Sequence, residues 1–341
     1  MLKLFGLRNL NWNQRIFLGL CLALLAVGCG KVGADVVEGR IVFMSRRFEL
    51  TEHVLGTGGI PFAIEKNGIK RWYDPGSNDG TCLYEKRKVK ALYKDFYWPR
   101  WSRDGKTVIA VTGKHNENEI TLINMESFQL TKVKTPHYIK GPSWFPDNEK
   151  IAFISYDEQE KERTSRNIYI YDLKTGEETQ MTFFEEIHES MNSVDVSSDG
   201  KKIVFDRSPG VGRDGDWWLY LLDIETKAVE KLVKYGAHAR WSPDEKKVVY
   251  KGNYYEPRKQ EERSEILIYD FETNEVKPVT YSETFKMDPC WSPDGKQILF
   301  VQAGGGADGY GKSLQVINVD GTNQREVVPP THDLSDPDWA W

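Results

Sequence analysis

The stretch Asp288-Pro289-Cys290-Trp291-Ser292-Pro293-Asp294-Gly295-Lys296 recurs in altered form along most of this chain. Copies begin at Trp101-Ser102-Arg103-Asp104-Gly105-Lys106, Trp144-Phe145-Pro146-Asp147, Val196-Ser197-Ser198-Asp199-Gly200-Lys201 and Trp241-Ser242-Pro243-Asp244-Glu245-Lys246. A fragment, Asp336-Pro337-Asp338-Trp339, lies near the end. From Trp101 through Trp144, Val196, Trp241 and Trp291 to Trp339 the spacings are 43, 52, 45, 50 and 48 residues. A period of that size means an array of small units, each of which buries its apolar face only against its neighbours.

Each unit reads as four short strands. A Pro-x-Trp segment leads into a Ser-Pro-Asp-Gly turn, in which Pro and Asp suit the early positions and Gly takes positive φ without steric cost. An apolar strand follows, such as Ile151-Ala152-Phe153-Ile154, then a connection of variable length. A hairpin rich in β-branched and aromatic residues closes the unit, as in residues 168–179, 219–233, 266–279 and 314–328. No segment carries a long 3.6-residue apolar period, so helices should be rare. Four-stranded units at this period predict an all-β fold, a β-propeller around a central channel, rather than an open solenoid. The first copy begins at its second strand, Arg40-Ile41-Val42-Phe43-Met44, and the last stops after its first. Together these fragments predict a six-bladed propeller whose N- and C-terminal strands share one blade. Two hairpin-like stretches near the start, residues 61–73 and 81–93, stand where one is expected and predict an inserted hairpin or a degenerate extra blade.

The Trp-Ser-Pro-Asp-Gly-Lys turn, the Ile-x-Phe strand and the Ile-Tyr-Ile-Tyr-Asp hairpin resemble TolB-type, WD-like propeller repeats over roughly residues 39–341. The resemblance implies the fold. It implies little about function, because its motif is made of turn and core residues and one scaffold hosts many activities. Val196 in place of Trp is a departure from the pattern.

Residues 1–28 read as a secretion signal: Lys3, Arg8 and Arg15 precede an apolar run, residues 16–27, too short to span a bilayer comfortably. The run ends in Leu25-Ala26-Val27-Gly28-Cys29, which resembles the lipobox of bacterial lipoproteins. That resemblance implies cleavage before Cys29, acylation of its thiol and amino group, and a stable membrane anchor. Residues 29–38 would then tether a propeller of residues 39–341. Gly30 after the lipidated position gives no acidic retention signal, so the outer membrane or the cell surface is the expected address. Removal of the signal takes the formal charge from −5 to −8, and an acidic domain without a basic stripe is a poor nucleic-acid binder. Cys82 and Cys290 remain, on strands too far apart to bridge. Two free thiols are expected.

Ser-Pro-Asp-Gly turns and hairpin turns share one face of such a propeller. The variable connections, residues 157–166, 207–216, 253–264 and 302–312, share the other, where binding usually lives. The residue three before each repeat Trp should line the channel mouth on that second face: Trp98, Gly141, Ser193, His238, Asp288 and Asp336. His238, Asp288 and Asp336 come from consecutive units and have the chemistry to hold a divalent cation. Arg100, Asp195, Arg240 and Asp338 are expected to form ion pairs. Trp217, Tyr254, Tyr255 and Tyr310, with Arg207, Arg213 and Arg258, suit a protein interface or a sugar-stacking surface. Trp218 reads as strand-end packing.

Catalytic motifs fail on context. Gly306 to Ser313 satisfies a phosphate-loop pattern, but a strand-like segment follows where a helix is required. No Gly-x-Ser-x-Gly elbow and no α/β domain accompany the array, and His188-Glu189 lacks a second His. The expected function is therefore non-catalytic: a monomeric, lipid-anchored propeller that binds an envelope protein or polysaccharide and needs no cofactor. The alternative is a carbohydrate-active lyase or hydrolase with a polar or metal site at the channel mouth.

Overall fold

In the computed structural model the described residues are 40–45, the backbone of 62–64, 80–85 and 88–94, and 96–340 except 113–118, 136–137, 156–164, 186–189, 209–216, 257–260, 282–283, 306–310 and 332–333. Residues 1–28 and Cys29 lie outside that set. All regular structure among the described residues is β-strand. The first strands are β1 (Arg40–Ser45), β2 (Phe62–Ile64), β3 (Gly80–Glu85) and β4 (Lys88–Lys94). Then come β5 (Phe96–Trp101), β6 (Thr107–Thr112), β7 (Glu119–Asn124) and β8 (Leu130–Lys134). The next four are β9 (Lys140–Trp144), β10 (Lys150–Ser155), β11 (Asn167–Asp172) and β12 (Glu178–Gln180), followed by β13 (Val194–Val196), β14 (Lys202–Arg207), β15 (Trp218–Asp223) and β16 (Val229–Lys234). The last are β17 (Gly236–Trp241), β18 (Lys247–Glu256), β19 (Glu261–Asp270), β20 (Glu275–Pro278), β21 (Lys286–Trp291), β22 (Gln297–Gly305), β23 (Gly311–Asn318), β24 (Arg325–Thr331) and β25 (Leu334–Ala340).

Strands β5 to β24 form five four-stranded antiparallel sheets, each in simple sequential order. This is the propeller architecture expected from the repeat. A further, five-stranded sheet runs β2-β4-β3-β1-β25 and joins the two ends of the chain: Arg40 pairs with Ala340 and Ser45 with Leu334. The hairpin expected over residues 81–93 is β3–β4. Of residues 61–73 the described part is β2, a fifth strand added on β4; the rest of that expected hairpin lies outside the described residues. The innermost strands β5, β9, β13, β17 and β21 each touch the next, and β25 touches both β21 and β5.

Apolar cores lie between sheets rather than within one. Phe153, Ile151 and Trp144 of the second sheet pack on Ile109, Val111 and Ile120 of the first. Phe205, Ile203 and Tyr220 meet Ile154 and Ile168. Phe300, Ile298 and Trp291 meet Val249, Ile266 and Ile268. Middle strands are buried on both faces, which explains their unbroken apolar runs. The outermost strands β8 and β16 are largely exposed and rich in lysine, as in Leu130-Thr131-Lys132-Val133-Lys134, and so discourage edge-to-edge pairing.

Two devices fasten one sheet to the next through the residue preceding the repeat Trp. Where that residue is acidic or Ser, its side chain accepts the next sheet's backbone N–H. Asp338 takes Trp101 N at 2.7 Å, Asp195 takes Trp241 N at 2.8 Å and Ser143 takes Val196 N at 3.1 Å. Where it is Arg, its carbonyl takes the next indole: Trp144 Nε1 donates to Arg100 O and Trp291 Nε1 to Arg240 O, both at 3.2 Å. Asp195 and Asp338 were expected in ion pairs. They cap backbone donors instead, because a buried N–H without an acceptor is costly. Asp195→Ala should lower stability by about 1–3 kcal/mol by orphaning Trp241 N–H, and Asp195→Asn, which keeps an acceptor, by less. Urea midpoints measure both, and equal losses would contradict the assigned bond.

Candidate functional site

Two tiers of side chains line the channel. The upper tier, toward the variable connections, is the set three residues before each repeat Trp. Trp98, Gly141, His238, Asp288 and Asp336 all have positive φ, between 50° and 59°. In β5, β17 and β21 this coincides with a register shift, between Tyr97 and Arg100, Ala237 and Arg240, and Met287 and Cys290. Left-handed backbone is unfavourable for a bulky residue such as Trp. Five recurrences of it show that the bulge is built into the innermost strand, where it re-aims the side chain at the channel.

The structure brings His238, Asp288 and Asp336 together. His238 Nδ1 pairs with Asp288 Oδ1, and Asp336 N donates to Asp288 Oδ2 at 3.2 Å. Arg100 reaches the same cluster: Nη1 donates to Asp336 O at 3.4 Å, and Nη2 lies 3.9 Å from Asp336 Oδ1. Among the described residues no three His, Cys, Asp or Glu side chains are grouped so as to hold a metal. Burial disfavours charge on His238, but the charge of Asp288 and its hydrogen bond outweigh it, and the imidazole pKa is raised. Burial likewise opposes ionisation of Asp288, and His238 reverses the balance, so that carboxyl is lowered. Asp336 is raised by burial and by the neighbouring charge of Asp288.

Residues outside the expected set complete this mouth. Asp206, at the end of β14, accepts Asn192 N (2.6 Å), Ser193 N (3.2 Å), Ser193 Oγ (3.0 Å) and His238 N (2.7 Å), and so joins two sheets. Lys140 Nζ donates to Met191 O at 2.9 Å and Asn192 Oδ1 at 3.2 Å. Burial, helped by Arg166, brings its pKa to about 8 against the pull of Asp206 and Asp336. An acid closing the apolar run Ile203-Val204-Phe205 was a readable signal for Asp206. Nothing in the sequence marked Lys140.

The lower tier is the set just before each repeat Trp: Arg100, Ser143, Asp195, Arg240, Cys290 and Asp338. Arg, a small hydroxyl or thiol, and Asp appear in that order twice around the channel. Below them, at the Ser-Pro-Asp-Gly end, lies a cavity of about 430 Å³ lined by Asp195, Arg240, Cys290, Asp338 and Arg103 among others. Arg103, which stands where three of the other copies have Pro146, Pro243 and Pro293, donates from Nη2 to Val196 O at 2.5 Å. Burial pushes the Cys290 thiol well up, and it is free of any disulfide. The charge of Arg103 moderates the upward shift that burial gives Asp195, and that of Arg100 does the same for Asp338.

The remaining candidates separate. Arg207 is not a surface arginine: it is buried, its guanidinium 3.9 Å from the Phe184 ring centroid and 5.9 Å from that of Tyr220, as cation–π packing dictates. Tyr254 and Tyr255 were assigned to a loop but belong to strands. β18 and β19 continue pairing from Asn253↔Ser264 to Glu256↔Glu261, and Tyr254 and Tyr255 on β18 have the β propensity that suits such an extension. The connection at 302–312 is likewise shortened by β22 and β23, and a strand follows the phosphate-loop-like run. Trp217 and Trp218 are half-buried at the start of β15, with Lys231 Nζ 4.7 Å from the Trp218 ring. Arg213, Arg258 and Tyr310 lie outside the described residues.

Fold and channel together define a β-propeller with an internally paired polar mouth and a charged cavity at the opposite end. The chain belongs to the TolB beta propeller domain family, whose model matches residues 98–341. A Bacillus subtilis (strain 168) protein described as an uncharacterized peptidase, YuxL, is 26% identical over 199 residues, 48% of this chain and 29% of that protein. The Tol-Pal system protein TolB of Rickettsia akari (strain Hartford) is 43% identical over 54 residues, 15% of this chain and 12% of that one. The matches thus span well under two thirds of these relatives. Among solved structures, TolB from Acinetobacter baumannii has a TM-score of 0.63 at 19% identity, covering 94% of this chain and 71% of that one, which is a likeness of fold.

The raised imidazole fixes a sign. The His238–Asp288 pair contributes fully below the ordinary imidazole value of about 6.5, and its contribution fades as pH rises through the higher folded value. Unfolding midpoints of the native chain should therefore fall, relative to His238→Gln, as pH rises above about 6.5. Parallel pH profiles would show that the pair carries no charge.

Proposed function

We propose that this protein is a non-catalytic, envelope-anchored propeller that binds a protein or an envelope polymer through the face carrying its variable connections. The observation that carries this reading is a pair of exposed aromatics in successive sheet-to-sheet links on that face. Tyr235 and Phe285 are each 45% exposed. Each has a lysine beside its ring: Lys234 at 4.6 Å and Lys251 at 4.5 Å from the centroid. Exposed apolar surface rimmed by charge is the usual form of an interaction surface. The channel mouth between these links has its charges satisfied internally, which suits a scaffold better than a reactive centre. Relatives named for the Tol-Pal system support a protein partner over a polymer.

The five-stranded sheet is counted in this reading as a sixth blade, closing the ring through β1 and β25. Residues 1–28 act as the signal, Cys29 carries the lipid, residues 29–38 tether the propeller, and the protein works as a monomer on the periplasmic side of the outer membrane or at the cell surface. The lipobox-like residues motivate the anchor, and loss of membrane association in Cys29→Ser tests it.

Replacing Tyr235 and Phe285 together by Ser should weaken capture of an envelope partner at least about tenfold with an unchanged unfolding midpoint. Arg103→Gln, at the opposite end of the channel, should leave capture intact. Quantitative cross-linking in native envelopes decides between them: equal capture by both variants would place binding elsewhere.

A further inference from the structure

We propose that the cavity at the Ser-Pro-Asp-Gly end of the channel binds a small carboxylate, held by Arg240. This site is distinct from the aromatic face and does not depend on it. Arg240 is 9% exposed and lines the cavity. Its Nη1 donates to Ala239 O at 3.0 Å, and its buried Nε has no hydrogen-bond partner. Among the described residues no carboxylate lies within ion-pair distance of it. A guanidinium does not deprotonate in proteins, so a nearly buried positive charge is left with one backbone bond, an arrangement that is costly until an anion arrives.

The two-fold pattern of the lower tier shows what is missing. Arg100 occupies the corresponding place three sheets away and makes the same local bond, Nη1 to Pro99 O at 3.1 Å. Arg100 also has a counter-ion, Asp336, on the upper tier of the preceding sheet. The residue that corresponds to Asp336 beside Arg240 is Ser193, whose hydroxyl donates to Asp206. The sequence thus supplies an acid to one arginine of the pair and withholds it from the other.

Three features select a carboxylate. Its planar oxygens match the guanidinium fork. Asp195 and Asp338 line the same cavity, and their charge disfavours a dianion such as phosphate or sulfate. Trp241, Trp291, Pro243 and Pro293 give the walls an apolar character suited to a compact organic body. A volume near 430 Å³ lies in the ordinary range of small-molecule sites.

The test is an arginine side-chain NMR titration of the full chain with benzoate against benzamide, and with triglycine against triglycine amide. Benzoate should shift the Arg240 Nε–H signal, and benzamide should not. A shift with triglycine, absent with its amide, identifies a peptide C-terminus as a source, whereas benzoate alone identifies a free acid. Arg240→Met should weaken benzoate binding by about tenfold or more. Ser193→Asp should weaken it too, by giving Arg240 the counter-ion that Asp336 gives Arg100. If Arg240→Met does not fold, the native titration and Ser193→Asp decide. An Arg240 signal that no carboxylate moves, or that sulfate moves as strongly as benzoate, overturns the proposal.

Discussion

Five of the junctions between neighbouring sheets of this protein are held by a hydrogen bond that reaches from the residue before one repeat Trp (or Val196) to the backbone or indole of the following one. Apolar packing between sheets supplies most of the driving force, but packing alone is non-directional and would tolerate sliding. The capped Trp N–H groups of β5 and β17, and the indoles of β9 and β21, fix the angle at which successive innermost strands stand. Their alternation is economical. An acid or Ser at that position serves a backbone donor, and an Arg leaves the task to its carbonyl while its side chain turns to the channel.

The channel inherits its chemistry from that arrangement. Because the linking residues are polar and face inward, the propeller carries charge through its centre. At the upper mouth these charges are mostly resolved by His238, Asp288, Asp336 and Arg100, with Asp206 tying the neighbouring sheets. At the lower end Arg240 is left over. The surface presented by the sheet-to-sheet links has a different character, aromatic and lysine-rimmed. A satisfied mouth and an exposed aromatic face are the physical basis of the proposed binding role. The buried pair Lys286–Glu265, 2.8 Å apart, shows the opposite arrangement to Arg240 at the fourth and fifth sheets: here the charge enters the core with its partner.

Much of this was legible beforehand. The Trp-Ser-Pro-Asp-Gly period defines the sheets, since turn chemistry and strand alternation are local properties. The upper-tier positions follow from counting back three residues from each Trp, and four of the five with positive φ are not Gly, so their strain was invisible while their place was not. The sequence marks Asp206 only as an acid that closes an apolar run, and it does not reveal the role of Lys140 or the missing acid beside Arg240, because these depend on which residues face each other across sheets. Tyr254 and Tyr255 were misread for a related reason. Residues 253–256 and 261–264 lack the apolar period that marks a strand, so the pairing that continues through them was not legible. Arg207 illustrates the reverse: its place at a strand end suggested solvent, yet the Phe184 ring draws it into the interface.

The central claim is that β25, paired with β1 and touching β5 and β21, makes all the sheets one cooperative unit. The most direct test is denaturant unfolding of a chain ending at residue 333, followed by both tryptophan fluorescence and circular dichroism. The account predicts that the intact chain unfolds in one transition seen alike by both probes, and that the shortened chain loses its folded baseline in both. An unchanged midpoint in the shortened chain would contradict it, because the remaining sheets would then stand without the strand that joins the ends.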